Sequence, residues 1–217
     1  MAFATALIGE AALLMGDLER AERELLEAVE LHHDSDASAG EAHSLQRLAE
    51  VRLAQGDAAE ARWLLQRALP LARWSIMSMH LLQRIYGTMM TAAPDPLAAR
   101  AVVDRAEATM GDNDHCTFCE VMLAVPAAIA CADVGDLAEA RRYLDLAEAS
   151  VAQWETGAWE AAVLEVRAHL ARAERRESEA VALWKRAASM FAAFGQPLDA
   201  ARCERAMAEP PASIPVS

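Results

Sequence analysis

The run His115-Cys116-Thr117-Phe118-Cys119 carries the sharpest chemical signal in the chain. Two thiols three residues apart in the first turn of a helix share a face, and a helix N-terminus favours thiolate. Such a pair can close a disulfide or hold a soft metal ion. Zinc takes four ligands, yet no second CxxC and no HxxxH exists. A complete site would have to recruit His115, Asp112, Asp114 or a distant group such as His80. The plainer reading is packing, because a free cysteine behaves as a small hydrophobe. Cys131 is open to the same reading. His32-His33 does not extend the metal argument: adjacent helical side chains diverge by about 100°, so these two are expected as solvated groups near a helix C-terminus. Met77, Met79, Met89 and Met90 are expected mainly in the core. The sequence has no Gly-rich phosphate loop, no GxSxG elbow and no paired-acid catalytic spacing. An enzyme is not expected, nor is a bound cofactor.

The elements that position these residues repeat. In the stretch from Val134 to Ala147, Asp136 serves as a mark, and equivalent positions are Asp17, Asp57, Asp95 and Arg176, giving steps of 40, 38, 41 and 40 residues. Four residues after each mark stands alanine (Ala21, Ala61, Ala99, Ala140, Ala180). Four further on comes a large residue (Leu25, Leu65, Val103, Leu144, Trp184), and three beyond that alanine again (Ala28, Ala68, Ala106, Ala147, Ala187). Spacings of four and three fall on one helix face. Alanine there lets a neighbouring helix come close, and the bulky residue between fills the remaining gap. The turn before each mark is Gly16, Gly56, Pro94, Gly135 or Arg175; glycine suits a left-handed helix cap, and Asp caps the next helix. Small residues also stand eight before each mark (Gly9, Ala49, Gly87, Ala128, Ala168), where the two helices of one hairpin should cross.

Composition agrees with a folded helical protein: 54% of residues are hydrophobic, with only 9 Gly and 8 Pro. Helical pairs are expected at 2–15 with 18–33, 41–55 with 58–74, 76–92 with 96–110, a helix ending at 134 with 137–153, and 158–173 with 177–194, followed by a last helix over 197–208. Ser38 and Gly40 mark a loop, Pro70 kinks or shortens its helix, Pro126 bends another, and Trp154 and Trp159 stack at one junction. Residues 1–209 make a single superhelical domain, with a disordered tail at 210–217. A net charge of −13 with scattered basic doublets disfavours direct nucleic-acid contact. The longest uncharged apolar stretch, Val121 to Ala132, falls short of the ~20 residues of a membrane span, and the N-terminal run reads as a repeat helix rather than a signal peptide. A cytoplasmic protein with reduced cysteines is expected.

The small, turn, Ala, large and Ala positions resemble those of the tetratricopeptide repeat over roughly residues 2 to 208, with a period longer than the usual 34. The longer period resembles the superhelical sensor domains of LuxR-type and maltose-regulator-like bacterial ATPase regulators. Phe194-Gly195-Gln196-Pro197-Leu198-Asp199-Ala200-Ala201-Arg202 looks like the segment that ends such arrays. The chain departs from the family in lacking its Trp and Tyr at the fourth and eleventh positions. The resemblance implies an all-α fold: a right-handed α-solenoid of about five antiparallel helix hairpins plus a C-terminal capping helix. It also implies a concave groove that binds a protein, a peptide or a small-molecule effector, with homo-oligomer formation as a further possibility. Carried over residue by residue, the groove positions are Phe3, Glu10, His43, Gln46, Glu50, Leu81, Arg84, Thr88, Met122, Val125, Glu165, His169 and Arg172. A Lys and Asn cluster of the kind that grips a C-terminal carboxylate is missing from this set. The expected function is a non-catalytic scaffold or sensor module related to a bacterial transcription regulator. The alternative is a thiol- or zinc-responsive switch at His115, Cys116 and Cys119.

Overall fold

Both alanines of every stripe are buried: Ala21, Ala61, Ala140 and Ala180 are fully covered, as are Ala28, Ala68, Ala147 and Ala187, and the third hairpin's Ala99 and Ala106 keep at most 8% exposure. Between them Leu25, Leu65, Val103 and Trp184 fill the contacts, while Leu144 is only partly buried and its neighbour Tyr143 takes the core position. The computed structural model describes residues 1–111, 116–154 and 157–208. Among these residues there are eleven helices and no strand: α1 (Ala2–Leu14), α2 (Leu18–Asp34), α3 (Ser38–Ala54), α4 (Ala58–Arg73), α5 (Ser78–Thr91), α6 (Pro96–Met110), α7 (Val121–Asp133), α8 (Leu137–Val151), α9 (Ala158–Ala173), α10 (Glu177–Ala193) and α11 (Pro197–Ala208).

Consecutive helices pair as five antiparallel hairpins. The first helices of successive hairpins, α1, α3, α5, α7 and α9, also touch in series, and α11 packs on α10 as the closing helix. This is an all-α helical-repeat solenoid. Asp17, Asp57, Asp95 and Asp136 each accept a hydrogen bond from a backbone N–H three residues on, so all four marks are working N-caps. The fifth turn keeps its shape without glycine, since Arg175 itself adopts φ 62°.

The coil is tighter than a gently curved slab. The corner between α1 and α2 reaches the start of α11: a Cβ placed on Gly16 would stand 3.0 Å from the Pro197 ring and 3.9 Å from Leu198. The first hairpin therefore meets the closing helix. The outer face of α1, by contrast, leaves Phe3, Leu7, Ile8, Leu14 and Met15 exposed.

Several local expectations are corrected. The loop expected at Ser38 and Gly40 is the first turn of α3; Asp36, at φ 52°, makes the reversal instead. Gly40 is small because the His32 ring lies where its Cβ would be, and His32 is consequently buried, its pKa lowered by loss of hydration. Only His33 is solvated as expected, beside Glu41 at 3.3 Å. Gly9 opens its own hairpin, its Cβ position being 2.7 Å from Leu25. At Gly87, however, a Cβ would stand 2.0 Å from the Met122 carbonyl, so there the small residue serves the contact of α5 with α7 in the next hairpin. α4 runs one turn past Pro70, and Pro126 lies inside α7. Trp154 meets Phe118 edge-on at 5.9 Å rather than stacking on Trp159, which packs against the core. Met89 and Met90 are buried, whereas Met77 and Met79 are exposed. The tail from 209 onward lies outside the described residues.

Candidate functional site

The inward faces of α1, α3 and α5 carry charged side chains close together because successive first helices run side by side. Arg47 of α3 lies between two carboxylates, pairing with Glu10 of α1 and with Glu50 at 2.7 Å. Gln46 donates to Glu50 at 2.7 Å and to the Thr88 hydroxyl of α5 at 2.8 Å, and Thr88 in turn donates to the Arg84 carbonyl. His43 stands 3.7 Å from Glu10. Burial is the largest influence on its imidazole, and the nearby Arg47 and Arg84 guanidinium groups add to it, so its pKa is lowered to about 4 despite Glu10 and Glu50. Glu50 would be raised by burial, yet Arg47 holds it below its ordinary value.

Arg84 is the exception in this belt. Among the described residues its only ion pair is the 3.8 Å approach to Glu10. Burial and the repulsion of Arg47 push its pKa below the usual arginine value. A cation in that condition is short of negative charge.

A second cluster joins α9 to α11. Glu165, 2% exposed, accepts a two-pronged contact from Arg202 at 2.8 and 2.7 Å. Burial alone would raise this carboxyl, but the guanidinium outweighs it and lowers its pKa. Arg172 donates to the Ala206 carbonyl and lies 4.0 Å over the Trp184 ring, and His169 pairs with Asp133 at 2.9 Å.

The thirteen expected groove positions thus divide. His43, Gln46, Glu50, Arg84 and Thr88 come together with Glu10. Glu165 and Arg172 both hold α11, with His169 alongside through its ring contact with Trp184. Leu81 and Val125 are corrected to core residues, both buried, and Met122 packs against that core, since α5 and α7 approach too closely to leave a groove between them. Phe3 stays in solvent at 65% exposure. Arg47, Arg202 and Asp133 were missed by the sequence reading. A signal for two of them existed, because Glu10–Arg47 and Glu165–Arg202 are both opposite charges 37 residues apart, one repeat less about one helical turn.

The thiol pair is corrected as well. Cys116 and Cys119 precede α7, on a turn in which the Cys119 and Glu120 amides both donate to the Cys116 carbonyl. His115 lies outside the described residues. His80, on the first turn of α5, brings Nδ1 to 3.3 Å from Cys119 Sγ. Burial, then the hydrogen bond to Cys116, push the Cys119 thiol up to about 11. Cys131 is buried in its hairpin as expected, and Cys203 is likewise buried. Two open hollows of about 540 and 490 Å³ lie among α8, α9 and α10, on either side of Arg167, away from the belt.

No family model and no curated protein matches the chain. Among the described residues no helix is long and apolar enough to cross a membrane.

Proposed function

We propose that the chain is a non-catalytic helical-repeat scaffold or sensor, cytoplasmic, that binds an acidic peptide segment of a protein partner along the inner wall of α1, α3 and α5. The resemblance of its repeats to the sensor arm of LuxR-type regulators supports a role beside a bacterial transcription regulator. The observation that carries the reading is Arg84, a mostly buried cation on the inner wall with a single long ion pair among the described residues. A carboxylate from a partner supplies the missing charge, and charge-assisted hydrogen bonds of this kind are the strong ones. Binding there bridges three hairpins and so favours one curvature of the coil over another.

Random peptides displayed on phage test this. Selected binders should be rich in Asp and Glu, should bind Arg84→Ala about tenfold more weakly, equivalent to ~1.4 kcal/mol, and should tolerate Arg84→Lys better. Thermal melts of both variants check the fold. Binders indifferent to Arg84→Ala, or a selection that yields none, remove the reading.

A further inference from the structure

We infer that His80, Cys116 and Cys119 form a binding site for a zinc-class cation, a site that staples the third hairpin to the fourth. The three donor atoms all lie within 4.8 Å of one another. Tetrahedral zinc bound at ~2.3 Å from sulfur and ~2.0 Å from imidazole nitrogen spaces its ligand atoms by somewhat less than that, so a small contraction suffices. Two thiols and an imidazole are the donor set that zinc prefers, and they supply three of four tetrahedral positions; the fourth goes to water or to another donor.

The cluster rests on rigid parts. Gly87 lets α5 approach the α7 backbone at Met122, with Pro126 3.4 Å from where its Cβ would be. Gly87 and Pro126 are 39 residues apart, the same separation as His80 and Cys119. The close approach of α5 to α7 thus brings His80 beside the turn that carries Cys119 and leads into α7. The chain between the thiols is equally fixed, since the hydrogen bonds of the Cys119 and Glu120 amides to Cys116 hold the two sulfurs on one side of a single turn. On binding, each thiol gives its proton to solvent and its sulfur lone pair to the metal, and no electron is transferred.

Bound metal links α5 to the segment that leads into α7. Zinc should therefore raise the melting temperature of the reduced protein.

Cobalt(II) is the probe. Added to the reduced full chain, one equivalent should give a thiolate-to-cobalt charge-transfer band and intense tetrahedral d–d bands, both erased by zinc. Cys116→Ser and Cys119→Ser should each abolish the charge-transfer signal or reduce it to that of one thiolate, and His80→Ala should weaken binding about tenfold or more. Cys203→Ser, remote in sequence and buried, should bind as the parent does. Circular dichroism of each apo variant separates loss of a ligand from loss of the fold. No thiolate band in the reduced parent, a band that survives Cys119→Ser unchanged, or unchanged affinity in His80→Ala each overturns the assignment. A pair that only oxidises to a disulfide and takes no metal when reduced overturns it too.

Discussion

Two inward-facing charge clusters hold the coil, and they are built on different plans. The belt across α1, α3 and α5 is redundant: two arginines and a histidine face Glu10 and Glu50, and Gln46 and Thr88 complete the hydrogen bonds. The clamp between α9 and α11 rests on Glu165 and Arg202, with Asp199 beside the arginine. A redundant network can lose a member and re-pair. A buried carboxylate with one principal cation cannot, since an uncompensated buried charge is the expensive state.

Arg202→Ala is the most damaging test of that contrast. It strands Glu165 at 2% exposure, and the expected loss is about 3 kcal/mol, at the low end for a broken buried pair because the Arg202 side chain keeps 42% exposure. In a repeat array the damage stays near its origin, so hydrogen exchange should show α11 opening first while α1 to α4 keep their protection. The double change Glu165→Leu with Arg202→Leu should recover most of the loss. Equal loss in the single and double variants would mean that packing, not charge, makes the clamp.

The architecture was legible for a definite reason. Close helix approach demands small residues at fixed heights, and Ala21, Ala28 and their counterparts leave that demand written at spacings of four and three. The clusters were harder. Which charges meet depends on the register between first helices, and that register turns on contacts such as Gly87 with the Met122 carbonyl, which no local pattern announces. For that reason His80 was only one distant option among several partners for the thiols, and Arg47 and Arg202 went unnoticed although their acids were named. Ser38 and Gly40 misled in the other direction: they have turn composition, but Gly40 is there to admit the His32 ring.

The belt's redundancy has a pH signature that the clamp lacks. His43 is held at about 4 in the folded chain against an ordinary 6.5. Between those values the unfolded chain binds more protons, so stability should be complete above pH 6.5 and fall as pH drops toward 4. The loss should be on the order of 3 kcal/mol, and it begins at higher pH than any loss from Glu50 or Glu165, which sets in only as pH falls through the ordinary carboxylate range toward their lowered values. Urea melts across this window should show a shallower slope in His43→Gln than in the parent, the remainder coming from buried His32. Arg47→Ala sharpens the point. It removes one repelling cation and leaves Glu10 short of a partner, so the imidazole should titrate at higher pH, read by NMR, as His43 takes over the charge. An imidazole that still titrates near 4 without Arg47 would show that burial and Arg84 together set it, and the belt would then have no spare cation.

The smallest effect lies in the turns that deliver each cluster. The first hairpin, which serves the belt, reverses through Gly16 at φ 79°, whereas the fifth, which leads toward the clamp, reverses through Arg175 at φ 62°. A side chain in the left-handed region costs roughly 1–2 kcal/mol, partly offset because glycine gives the unfolded chain more freedom. Arg175→Gly should therefore stabilise the protein by about 0.5–1 kcal/mol. The gain should appear as added amide protection at the junction of α9 and α10, with α1 and α2 unchanged, because repeat contacts pass stability only to neighbours. No gain would mean that the Arg175 side chain holds the turn by contacts that repay its strain. The fifth hairpin would then be as well adapted as the first, and the difference between the two ends of the coil would reside in the charge clusters alone.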